Sequence, residues 1–158
     1  MSGPEPGEGR VADAAMVARA RPPHGYEPIV SNSAFGWHVG PLFERPHQGG
    51  AVERGFRVDD CHINAGGICH GGMMMTFADI LLSAAVMRVI APPFVTVRLT
   101  TDFIGPARHD QWVSGRAHAR PMRDKDGESD LVAVDGTVMA EDAVAARINA
   151  VFKALRRR

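Results

Sequence analysis

From Gly71 to Ile90 the chain runs through a stretch with no proline, no glycine after Gly72, and only two charged residues, Asp79 and Arg88. Those two charges leave it short of the ~18 uncharged apolar residues that a membrane span requires. Ala91-Pro92-Pro93 must stop it, so the run predicts one buried helix of about five turns. Beyond it the apolar period falls from 3.6 to 2, the signature of strands. Thr96–Ile104 sets Val97, Leu99 and Phe103 against Thr96, Arg98, Thr100 and Asp102. Trp112–Pro121 sets Val113, Gly115, Ala117 and Ala119 against Trp112, Ser114, Arg116, His118 and Arg120. Leu131–Ala140 offers Val132, Val134, Gly136 and Val138 on one face, and Val144–Lys153 offers Ala146, Ile148, Ala150 and Phe152. Small residues on these faces leave room for something bulky. The predicted class is α+β: one long helix wrapped by a curved antiparallel sheet of about six strands.

The flanks are less regular. Residues 1–10 read as unstructured, and Val11–Ala20 as a short helix ended by Arg21-Pro22-Pro23. A short strand is expected around Trp37–Phe43 and another over Ala51–Val58, closed by Asp59-Asp60. Turns are expected at Asp110, Asp124–Gly127 and Glu141–Ala143. Residues 1–25 thus form an N-terminal segment and 26–158 a single domain, a size that 158 residues with 45% hydrophobic content can fill.

Basic and acidic residues balance at 18 each, so no overall field favours nucleic acid or a membrane surface. Arg156–Arg158 reads as a solvated end. Cys61 and Cys69 are too few and too close for a disulfide scaffold, and the first residues lack the apolar core of a signal peptide; the expected setting is the cytoplasm.

The residues before the helix, Cys61-His-Ile-Asn64-Ala-Gly-Gly-Ile-Cys69-His70-Gly71-Gly72, carry the chemistry. Structural zinc sites favour Cys-x2–4-Cys and His-x3–5-His spacings, and neither occurs, so no metal is expected. The glycines do not fall into a dinucleotide or phosphate-loop pattern. What remains is a glycine-rich turn entering a helix, whose free N–H groups and macrodipole suit developing negative charge. A thioester carbonyl pointed at the Gly71 N–H would have its oxyanion stabilised there, unless the glycines serve only a tight loop.

Asp79 forms with Thr76 and Ser83 a thin polar stripe on an apolar helix. Such an acid is at least partly buried, and is either satisfied by Ser83 or a backbone amide or kept for a task. Eight residues from Gly71 is about 12 Å at ~1.5 Å per residue, beyond the reach of one proton transfer. A shared site therefore calls for two copies of the helix related by a two-fold axis, a homodimer with composite sites.

The segment Asn64-Ala-Gly-Gly-Ile-Cys-His70-Gly71-Gly72-x6-Asp79 resembles the signature of hotdog-fold acyl-CoA thioesterases of the phenylacetate-degradation branch, in which Asn stands six residues before the His and Asp nine after it. The likeness runs from Phe35-Gly-Trp-His-Val-Gly-Pro-Leu, which looks like that family's first strand, to the strand ending near Phe152. It implies hydrolysis of an acyl-CoA by dimers or tetramers without a cofactor. By resemblance, Gly71 supplies the oxyanion N–H and Asp79 of the partner subunit is general base or nucleophile. Asn64 positions water or carboxylate, His70 helps hold the thioester, and Thr96 fills the family's Ser/Thr position on the next strand. Gly72 and Met73 adjoin the motif; the methionine run Met73-Met74-Met75 could shape an acyl pocket or fill core. Cys69 reads as packing. Arg120, Arg123 and Lys125 could meet coenzyme A phosphates or belong to a solvated turn. Two other readings are a hotdog hydratase or dehydratase acting on enoyl or hydroxyacyl thioesters, and a non-catalytic acyl-CoA-binding protein.

Overall fold

The 16-residue helix α3 (Gly71–Val86) runs through the middle of the molecule. The structure, a computed structural model, describes residues 9–46, 51–125 and 127–155. Five strands surround the helix: β3 (Val52–Arg57), β4 (Phe94–Phe103), β5 (Trp112–Asp124), β6 (Gly127–Ala140) and β7 (Ala143–Ala154). Two short ones, β1 (Glu27–Pro28) and β2 (Phe43–Pro46), extend the same sheet, whose order is β1-β2-β3-β5-β6-β7-β4 with every neighbouring pair antiparallel. The helix-on-sheet architecture read from the sequence is the observed one. The predicted unstructured stretch 1–10 lies outside the described residues except for Gly9 and Arg10, and Arg156–Arg158 lies outside them too.

Helix and sheet close on each other through the small residues. A Cβ on Gly115 would sit 2.4 Å from Leu81 Cδ2 and 3.3 Å from Phe77 Cε1, so the bare Cα of β5 is what lets α3 approach. Phe77, Leu81 and Leu82 are fully buried, as are Val113, Ala117, Val138 and Ala146. Truncating Leu81 to alanine there would cost about 2–5 kcal/mol. The helix ends at Val86, four residues earlier than expected. Its continuation tightens into Arg88 N–H to Ala85 O and Val89 N–H to Val86 O bonds, three residues apart, ahead of the prolines.

The N-terminal part crosses the other side of α3, with Ile29, Val39 and Leu42 joining the core. The strand expected at Trp37–Phe43 is instead a short helix, α2 (Ala34–His38), followed by β2. Ser33 caps it by accepting from Gly36 N–H at 3.0 Å, and Trp37 Nε1–H donates to Ser31 O at 3.1 Å. Two local side-chain bonds thus overrode the strand pattern. On the far face of the sheet a second cluster forms from Ala20 of α1 (Ala14–Ala20), Tyr26, Phe43 and Trp112. Beneath it Glu53 is 2% exposed, bonded by Tyr26 Oη (2.6 Å), Arg116 Nε (2.7 Å) and Arg45 (2.8 Å). Burial alone would raise the Glu53 carboxyl, but these three partners together hold it below the usual range. Burial, with Glu53 beside it, pushes the Tyr26 hydroxyl up to about 12.

One sequence-derived face does not hold. Val97 and Phe103, expected to share the apolar face of their strand with Leu99, are 57% and 56% exposed, and only Leu99 packs against the core. The register of β4 against β7 shifts between Thr96 and Arg98, which takes Val97 out of the alternation. Phe103 keeps the parity of Leu99 but ends the last strand of the sheet, where it lies over Gly71.

Candidate active site

The turn before α3 is held by its own polar groups. Asn64 Oδ1 accepts from Gly66 N–H (2.8 Å), while Asn64 N–H donates to Ile68 O (2.8 Å). His70 N–H reaches back to His62 O at 2.7 Å, and Cys69 N–H to Ala107 O at 2.7 Å, anchoring both sides of the loop. His62, which the sequence offered only as a metal ligand, is the buried post of this region. Its Nδ1 accepts from Asp59 N–H (3.0 Å), so its Nε2–H donates to Val39 O (3.0 Å), and burial lowers its basicity. Both ring nitrogens are spent on the fold. Cys69 is buried and its thiol is pushed up to about 11 by that burial, which suits packing and not a thiolate nucleophile.

His70 caps the helix. Its Nδ1 accepts from Gly72 N–H at 2.8 Å, which requires the proton to sit on Nε2 and leaves that donor exposed. The neighbouring Gly71 N–H meets no acceptor among the described residues. Two donors, one backbone and one imidazole, therefore stand at the positive end of the α3 dipole. Gly71 is also roofed: a Cβ there would lie 3.3 Å from the Phe103 ring. Phe103 was not a sequence candidate, because it had been assigned to the core-facing side of its strand.

Asp79 sits two turns further along, half-buried. Thr96 Oγ1–H donates to its Oδ1 at 2.8 Å, a contact between α3 and β4. Ser83, the side-chain partner expected from the sequence, instead donates to Ile80 O (3.0 Å), and Thr76 to Gly72 O (2.9 Å), so both hydroxyls serve the helix. The carboxylate opens on a hollow of about 360 Å³ lined by Ser33, Phe35, Met75, Thr76, Asp79 and Ile80. Phe35 and Met75 are 60% and 41% exposed there. Met75 belongs to the methionine run read as acyl pocket or core, whereas Phe35 was not singled out, since it lay in an expected strand.

Within one chain the structure brings together Asn64, His70, Gly71 and Gly72 at the helix start, and Asp79 with Thr96 at its middle. It does not bring the two groups to each other. Met73 is 6% exposed and packs in the core with Met74. Arg120 lies on the sheet face away from α3, paired with Asp135 at 2.8 Å, and Arg123 is exposed near the β5–β6 turn.

Comparison with known proteins agrees with this geometry. A profile of the thioesterase superfamily matches residues 66–123, which hold the turn, α3, β4 and much of β5. A candidate esterase of Pseudomonas aeruginosa is 37% identical over 93 residues, covering 58% of this chain and 69% of that protein. Among solved structures, the phenylacetic acid degradation protein PaaI of Thermus thermophilus aligns with a TM-score of 0.66 at 20% identity, over 78% of this chain and all of that one. Its Escherichia coli namesake gives 0.67 at 18% identity, over 79% of this chain and 86% of that one. Zebrafish thioesterase superfamily member 2 gives 0.66 at 20%, over 78% and 87%. At such identities the structures establish the shared fold, the hotdog fold of a helix wrapped by a curved sheet. The sequence matches carry the assignment: the chain belongs to the thioesterase superfamily and is a hydrolase of thioesters.

Proposed function

We propose that this hydrolase cleaves acyl-CoA thioesters to the free acid and coenzyme A in composite sites of a homodimer, itself paired into a dimer of dimers. The domain responsible is residues 26–158, preceded by an N-terminal segment that contains α1. In each site the carbonyl oxygen accepts from Gly71 N–H, with the His70 Nε2–H as a second donor and Asn64 supporting the turn. Asp79 of the partner subunit takes a proton from water as the water oxygen bonds to the carbonyl carbon. The carbonyl π pair moves onto the oxygen, where the helix end holds it. Collapse of this intermediate breaks the C–S bond, and the sulfur leaves with the proton that Asp79 had taken.

The observation that carries this reading is the state of Asp79. One oxygen is fixed by the Thr96 hydroxyl, no other donor reaches it among the described residues, and it faces an open hollow. A purely structural carboxylate in a core would be more fully bonded, as Glu53 is. The need for a second copy follows from the ~12 Å rise between Gly71 and Asp79. The exposed apolar residues Val95, Val97, Phe103 and Ile104 on and beside the edge strand β4 support a copy seated there. Two free cysteines suit a reducing cytoplasm, and no helix among the described residues is long and apolar enough to cross a membrane.

The test is release of coenzyme A, followed with a thiol reagent, from aryl, phenylacetyl and aliphatic acyl-CoAs, with Asp79→Asn beside wild type. Hydrolysis that collapses in the variant is expected. Binding of acyl-CoA without turnover by the wild type would instead favour the binding-protein reading, and hydration of enoyl-CoA the hydratase.

A further inference from the structure

A second hollow, about 350 Å³, lies between the far side of α3 and the N-terminal part of the chain, walled by Ile29, Trp37, Leu42, Ile80, Ser83 and Met87 among others. It shares two wall residues, Ser33 and Ile80, with the hollow in front of Asp79. Protein interiors hold few voids larger than a water molecule, and this volume falls in the range of about 300–1,000 Å³ typical of ligand sites. The space exists because small side chains face it: Ser83 stands where the helix pattern would accept leucine, and Gly36 and Ser31 line the opposite wall.

The wall is built, not collapsed. Trp37 is pinned by its Nε1–H bond to Ser31 O and by the Arg10 guanidinium 4.0 Å above its ring. The polar groups around the space are mostly spent within the protein. Ser83 bonds Ile80 O, Ser33 caps α2, and Arg54 holds Glu44 (2.8 Å) and Ile80 O (3.0 Å), leaving Asn32 on the exposed rim. With few donors or acceptors left to recognise a charged or polar ligand, the remaining lining suits an apolar one. From Asp79 the wall extends along α3 to Met87, eight residues or about 12 Å.

Resting on the thioesterase reading, we propose that this cavity receives the acyl part of the substrate. A carbonyl placed by Asp79 carries its apolar tail over Ser33 and Ile80 and along α3 toward Met87. Ser31, Ser33, Gly36 and Trp37, which wall the cavity opposite α3, would then set chain-length preference, and the substrate class would be apolar acyl groups longer than acetyl.

The test compares kcat/KM for acetyl-, butanoyl-, octanoyl- and phenylacetyl-CoA in wild type, Ser83→Phe and Met87→Trp. Ser83→Phe fills the middle of the cavity, and Met87→Trp narrows its far end from a position 48% exposed, where folding is least at risk. The expected result is an octanoyl preference over acetyl in wild type, reduced at least tenfold as a ratio in Ser83→Phe and less in Met87→Trp. Far-UV circular dichroism and melting confirm that the variants are folded. Turnover of the panel with that ratio unmoved in both variants overturns the cavity assignment and leaves the thioesterase reading standing. No turnover of any thioester by wild type removes both.

Discussion

Helix α3 carries two polar stations that differ in kind. At its start the reactive group is a backbone N–H, set by a glycine and a histidine cap one residue away in sequence. At its middle the group is a side chain, Asp79, whose orientation depends on Thr96 of another element, 17 residues on. The first station is a consequence of how any helix begins; the second exists only once helix and sheet are packed. Their separation along one rigid rod means that neither can complete the other, and the composite site follows from that rigidity.

The comparison can be broken one station at a time. Asp79→Asn removes the proton acceptor while keeping shape and the Thr96 hydrogen bond; kcat should fall by about 10³-fold with little change in melting temperature. Gly71→Pro removes the N–H at a position where helices accept proline, and His70 already has the extended backbone (ψ 136°) that a following proline demands. Its ring must displace Phe103, yet the helix should form, with kcat reduced about 10²-fold. Thr96→Val leaves Asp79 in place but unheld, and kcat should drop about fivefold, the worth of one hydrogen bond of about 1 kcal/mol. If Thr96→Val instead matches Asp79→Asn, then the second station is the Thr–Asp pair and not the carboxylate alone.

The smallest effect concerns the post behind the first station. Burial holds His62 below its ordinary value of 6.5, so the native protein keeps it neutral where the unfolded chain is already charged. The stability this contributes is complete above pH 6.5 and is lost as pH falls below 6.5 toward the folded value. Melting curves from about pH 7.5 to about pH 5.5 should therefore fall more steeply for wild type than for His62→Gln, itself less stable throughout.

The same contrast explains what the sequence could tell. Gly71 and the lone acid Asp79 were legible because a proline-free apolar run and its single interruption are local signals. The small faces of β5, β6 and β7 were legible because alternation holds over 113–119, 132–138 and 146–152, between the register shifts at Pro121/Arg123 and Val138/Met139. Phe35 and Trp37 were misread as strand, since a one-turn helix closed by Ser33 and a tryptophan hydrogen bond leaves no period to detect. Val97 was misplaced because a register shift in β4 is invisible in a pattern of twos, whereas Phe103 keeps the parity of Leu99 and is exposed at the strand's end, where it covers Gly71. Thr96 became a candidate through family likeness, and its contact with Asp79 was not foreseen, because nothing local joins those residues.

The most direct test of the composite site mixes the two dead enzymes. Asp79→Asn chains keep Gly71, and Gly71→Pro chains keep Asp79, so each mixed dimer holds one intact site and one doubly broken one. After subunit exchange at equal amounts, with half the dimers mixed, activity should rise to roughly a quarter of wild type per chain. Activity that stays at the level of the two parents, in a mixture shown to contain mixed dimers, would contradict a site shared between subunits.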